Sequence, residues 1–157
     1  LKEESEIIKG KILSECGKNS MKLDSVLIQN QSFMNYLDSL SYLDRIEGFG
    51  FNFSSELLAS SSWKIAQTSS AIHLIDQNFL DDATEMYEVQ QYYMNISNQM
   101  FQNLGDMLMK VDLVEPKIMV MTSHYYLSNI LVASKQLQEN YKDFLSKYAD
   151  GNTIQND

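Results

Sequence analysis

The chain has a single proline, Pro116, in 157 residues. Proline lacks an N–H and clashes with the preceding helical turn, so its near absence removes the commonest stop to long helices. Cysteine is as scarce. Cys16 stands alone, which excludes an intrachain disulfide and leaves the redox compartment open. Basic side chains are few, 12 against 21 acidic ones, for a net charge of −9. Residues 51–112 carry 8 acidic and 2 basic groups, and so −6 of that total. Such a surface repels phosphate backbones and no basic stripe offsets it, which excludes nucleic acid as a partner. Long hydrophobic runs are missing too. The longest uncharged stretch, Ile118 to Ser134, is broken by Thr122, Ser123, His124, Ser128 and Asn129, and is too short and polar to span a membrane. No signal peptide is visible. The chain opens at Leu1 and not at Met, so an upstream segment is expected to precede it.

Reactive signatures are also lacking. The two histidines, His73 and His124, fall in no Glu-x-x-His pair, and no set of three or four convergent ligands is suggested. Neither a Gly-rich phosphate loop nor a nucleophile elbow is present; Ser60–Ser62 does not make one. Cys16 reads as a small apolar core residue. The carboxylates Asp76, Asp81, Asp82, Glu85 and Glu88 sit at a predicted helix start, where they complement the helix dipole better than they would hold calcium. No cofactor, metal or catalytic residue is assigned, and no enzymatic activity is expected.

What is present is helical periodicity. With 44% apolar and 11% aromatic residues, the chain is long enough to bury roughly 70% of its unfolded surface in one core. A first helix is predicted from Lys2 to Leu43, with the stripe Ile12, Cys16, Leu23, Val26, Leu27, Asn30, Phe33, Met34, Leu37 and Leu40 close to a heptad seam. Gly10 and Gly17 predict fraying before residue 12. Residues 44–54 break the pattern, and Phe49, Phe51 and Phe53 are expected to tuck from an extended loop under the helices. Ser54 and Ser55 offer N-caps for the serine-rich segment 56–74, which predicts two short helices or a kinked one.

Asp76 or Asn78 caps a long helix over 78–110, with the stripe Phe79, Ala83, Met86, Gln90, Tyr93, Ser97, Met100, Leu104, Met107 and Val111. Asp112 to Pro116 is the turn, and Pro116 opens a last helix to Tyr148, with Leu127, Ile130, Ser134, Leu137, Tyr141, Phe144 and Tyr148 inward. No such helix buries its stripe alone. The expected fold is all-α: one domain over 1–150, an elongated antiparallel bundle of three long helices with a short serine-rich segment, and a disordered tail over 151–157.

Asn30, Gln90, Ser97 and Ser134 fall on apolar stripes. Buried amides need partners. The favoured reading is mutual hydrogen bonding that fixes helix register. The alternative is a small polar ligand held between helices, with Asn30, Trp63, Tyr87, Gln90 and Tyr93 as candidate binding residues.

The block SSWKIAQTSSAIHLID at 61–76, with Tyr87, Gln90 and Tyr93 after it and Glu15, Asn19 and Leu23 before it, resembles a family of uncharacterised bacterial proteins. In that family one membrane-spanning helix near the N-terminus precedes a helical domain. Trp63, Ala66 and Ala71, and Tyr87 with Gln90, match its Trp-x-x-Ala-x-x-small-small-Ala/Gly block and its Tyr-x-x-Gln, across residues 12–95. The last helix has no counterpart. The resemblance implies an upstream membrane anchor and an extracytoplasmic domain, and it implies no reaction. Two functions are weighed on this basis. The first is a non-enzymatic interaction or structural module that self-associates or docks a protein partner; the second is a sensor of a small ligand.

Overall fold

The computed structural model describes residues 1–48, 50–110 and 114–149. Phe49, Val111 and the tail from Gly151, named above, fall outside them, as does part of the turn before Pro116. The fold is all-α. Helix α1 runs Lys2–Ser41, a short α2 Ser61–Thr68, a 3₁₀ turn Ser70–Leu74, α3 Gln77–Leu108 and α4 Pro116–Tyr148. At 1.5 Å per residue the three long helices are about 60, 48 and 50 Å long.

Each long helix buries a stripe of alternating three- and four-residue steps. In α1 it is Ile12, Cys16, Asn19, Leu23, Val26, Asn30, Phe33 and Leu37, none more than 2% exposed. In α3 it runs from Phe79 through Met86, Gln90, Tyr93 and Met100 to Leu104, and in α4 from Val120 through Leu127, Ile130, Leu137 and Tyr141 to Phe144. The ends are built as the residues dictate. Asp76 Oδ1 accepts from the N–H groups of Asn78 and Phe79 and so caps α3, and Pro116 opens α4. α1 is helical from Lys2 despite its glycines, because Ser5 and Ile8 are already buried and Lys9 lies over the Phe79 ring.

α4 is the central helix. It packs along both α1 and α3, whereas the backbones of α1 and α3 stay apart. Cross-helix bonds give the directions. Cys16 and Ser20 meet Tyr141 and Gln138, and Asp82 and Asn103 meet Lys147 and Tyr126, so α4 is antiparallel to both neighbours. α1 and α3 therefore run parallel, and the chain between them must return the length of α1. It does so as an extended strap, and the opening between α1 and α3 is closed by that strap, α2 and the 3₁₀ turn.

This corrects the expectation that Ser54 and Ser55 start a helix. Residues 54–59 form no helix, and α2 begins after Ser60. The reason lies upstream. Asn30 donates to the Ser54 carbonyl (3.0 Å) and accepts from its N–H (2.8 Å); Asn19 does the same to Ala59 (2.8 and 2.9 Å). Eleven residues of helix and five of extended chain both cover about 16 Å, so the two amides hold the strap at full stretch. Phe51 and Phe53 do tuck inward, against Phe33 and Phe101.

Candidate functional site

Polar chemistry concentrates in the seam between α1 and α3. Glu15, 8% exposed, lies one turn before Asn19 on α1. Its Oε2 accepts from the Ser61 hydroxyl (2.9 Å) and the Ser62 N–H (3.1 Å), and its Oε1 from the Tyr87 hydroxyl (2.7 Å). Ser60 makes no side-chain cap, so Glu15 supplies from α1 the acceptor and negative charge that the start of α2 lacks. Next to it, Gln90 donates to the Ala59 carbonyl (3.0 Å), and its Oε1 accepts from Asn19 (3.2 Å) and from the Tyr141 hydroxyl (2.7 Å). These two adjoining clusters, one on Glu15 and one on Asn19 and Gln90, together make a polar network that ties α1, the strap, α2, α3 and α4.

The five candidate binding residues divide within this frame. Tyr87 and Gln90 belong to the network. Trp63 stacks on Tyr87 with ring centroids 5.5 Å apart and planes 9° apart. Asn30 is spent on Ser54. Tyr93, 1% exposed, lies beyond the network, and its hydroxyl makes no hydrogen bond. The Ser97 and Ser134 hydroxyls adjoin it; Ser97 pairs with Ser55, and Ser134 donates to the Ile130 carbonyl. A cleft of about 580 Å³ beside the network is lined by Lys11, Ser14, Lys18 and Lys22 with Glu15 and Asn19, and by none of the five.

Glu15 and Asn19 entered the sequence reading only through a resemblance. A polar residue on the three–four stripe between Cys16 and Leu23 was the available signal. The pairing of His124 with Asp38 (2.8 Å), across α4 and α1, had no local signal at all.

Cys16, Tyr87 and Tyr141 hold their protons. Burial first, and then the Glu15 charge, push the Cys16 thiol up to about 12. Burial raises Tyr87, helped by its bond to Glu15, and burial raises Tyr141, helped by neighbouring Cys16. A thiol and two phenols kept neutral serve as packing and hydrogen-bond donors. Among the described residues no three His, Cys, Asp or Glu side chains gather to hold a metal, and no helix is long and apolar enough to cross a membrane.

The second feature is on the outside of α3 and α4. A groove of about 610 Å³ runs between them, lined on α3 by Val89, Tyr92, Ile96 and Gln99 and on α4 by Tyr125, Tyr126, Asn129, Val132, Ala133 and Gln136. These positions repeat the three–four spacing beside the core stripe: Tyr92, Tyr125 and Val132 face outward, Val89, Ile96 and Tyr126 are half-buried against the core, and Ala133 is buried. None is charged. Residues 89–105 and 118–134 contain no Lys, Arg, Asp or Glu, and Tyr92, Tyr125 and Val132 are 62%, 65% and 71% exposed. Toward the start of α3 the groove continues into a smaller recess of about 260 Å³ with Asp82, Glu85, Asp143 and Lys147. No protein-family model, curated protein or solved structure matches this chain.

Proposed function

We propose that this domain is a non-enzymatic interaction module whose working surface is the outer groove of α3 and α4. One observation carries the reading: an uncharged groove with a second set of heptad-spaced apolar positions, of which Tyr92, Tyr125 and Val132 are exposed, on a chain of net charge −9. Scattered apolar residues on a surface need no explanation, but a contiguous patch does. Two parallel rows at three–four spacing form the seat into which a further amphipathic helix packs, as in coiled coils. In this reading the Glu15–Asn19–Gln90 network keeps the bundle in one register so that the outer groove has a fixed shape.

The setting proposed is the soluble part of a membrane-anchored bacterial protein, held by a helix upstream of Leu1 and facing away from the cytoplasm. It rests on the resemblance of Glu15, Asn19, Trp63 and Tyr87 to that family's pattern. A sensor of a small ligand is the second reading. It draws on the buried Tyr93 hydroxyl, which lacks a partner beside the Ser55–Ser97 pair, and on an opening of about 220 Å³ lined by Ser55 and Ser97.

A photo-cross-linking residue at Tyr92, in the cell that makes the protein, tests the interaction reading. An adduct at Tyr92 and none at Ile28, which is 73% exposed on α1, is the expected result. Equal labelling at both, or none at Tyr92, would sink the idea.

A further inference from the structure

We infer that the occupant of the α3/α4 groove is a second copy of the same chain, laid antiparallel to the first. This rests on the interaction reading and names its partner. Two molecules of charge −9 repel wherever carboxylates face one another, and the groove is a surface where they approach without a charged side chain between them. Its ends differ. Asp82, Glu85 and Asp143 lie at the end near the start of α3, where Lys147 pairs with Asp82 and leaves Glu85 and Asp143 unbalanced, while the opposite end offers Gln99, Tyr125 and Asn129.

A two-fold axis along the helices would stack the two acidic ends. An axis across them sets each acidic end against the amide and hydroxyl donors of the other copy. The face is therefore self-complementary in one sense only, and the result is a closed, isologous pair. In that arrangement α4 crosses its symmetry mate near the middle of the groove, at Val132 and Gln136.

Size sets the strength. From residue 82 to 103 the α3 edge is about 33 Å long. Two helices side by side are about 20 Å wide, so each copy offers roughly 600 Å². That is below the roughly 800 Å² per partner of a standard interface, and a weak, reversible dimer follows.

Sedimentation equilibrium should show dimer appearing between about 10 µM and 1 mM, the weak range for so small an interface. The double variant Tyr92→Lys, Val132→Lys should remain monomeric at 1 mM with an unchanged dichroism spectrum and melting point, since both side chains are exposed. Val132→Cys should form a disulfide-linked dimer under mild oxidation, and Ile28→Cys should not. A wild-type monomer at 1 mM overturns the inference. So does a dimer that survives the double lysine change, or one in which Val132→Cys never cross-links. If the chain is monomeric while a cross-linker at Tyr92 still labels a different protein, the second copy is wrong and the interaction module stands. Without either contact, both fall.

Discussion

Asn30 holds Ser54 by both of its backbone groups, across 24 positions of sequence, at 2.8 and 3.0 Å. A primary amide carries a donor and an acceptor side by side, and a residue in extended chain presents its N–H and C=O in the same way. Asn30 therefore stands where a neighbouring strand would. Asn19 repeats the device at Ala59, and Gln90 adds a second donor to the same carbonyl. An extended segment beside helices has no ladder to join, and these amides satisfy it.

Removing either clamp strands a backbone pair and leaves a void where a fully buried side chain stood. Asn30→Ala and Asn19→Ala should each lower unfolding free energy by about 2 kcal/mol. Asn19→Ala should cost more, because Gln90 also loses a partner. Proteolytic cutting within 54–59 should speed up in both. Urea melts within 0.5 kcal/mol of wild type would show that the strap is held by Leu58 and the phenylalanines instead.

The three tyrosines facing the core should respond with different signs. Tyr87 donates to Glu15 and Tyr141 to Gln90, so Phe at either site leaves a buried acceptor short and costs about 1–2 kcal/mol. Tyr93 has no partner for its hydroxyl. Tyr93→Phe should therefore be neutral or stabilising by up to about 1 kcal/mol. A loss of stability in Tyr93→Phe would mean that the hydroxyl is bonded in solution.

How much of this was legible beforehand follows from the range of each interaction. The heptad stripes were readable because a helix brings residues three and four apart to one face. The cap at Asp76 and the start at Pro116 are equally local. The strap was not readable: Ser54 and Ser55 look like N-caps until Asn30 and Asn19 are known to reach them from the preceding helix. Gln90 and Asn30 stood out as polar residues on apolar stripes, but their partners proved to be the strap backbone, Asn19 and Tyr141, and not one another. The outer stripe from Val89 to Gln99 went unread because the inner stripe already accounted for the helix.

High pH should unfold the protein before it affects an ordinary surface. In the fold Cys16 rises from 9.0 to about 12, and Tyr87 and Tyr141 rise well above 10.0. The folded state thus keeps protons that the unfolded chain releases. Sign follows from linkage: their contribution is complete below about pH 9 and is lost as pH climbs toward the raised values. Melting temperature should be flat from pH 7 to 8.5 and fall beyond it. Alkylation of Cys16 should be blocked at pH 8.5 until denaturant is added, and rapid labelling of the native protein would contradict the burial.

Two groups pin the end of α4 to the start of α3, and magnitude decides between them. Asp82 accepts from Lys147 and Tyr148, and those bonds hold its carboxyl below the usual 3.8. That contribution is present above about pH 4 and disappears as pH falls through the lowered value. The pair with Lys147 is exposed on both sides, however, and exposed ion pairs are worth less than about 1 kcal/mol. Phe79, 1% exposed, packs its ring on Phe144 and Tyr148 at 5.3 and 4.8 Å. Truncating a buried phenylalanine costs about 3–5 kcal/mol. Phe79→Ala should therefore destabilise several times more than Asp82→Asn, and only Asp82→Asn should flatten the stability profile near pH 3–4. Equal losses from the two changes would mean that the ion pair and not the aromatic cluster closes this end of the bundle.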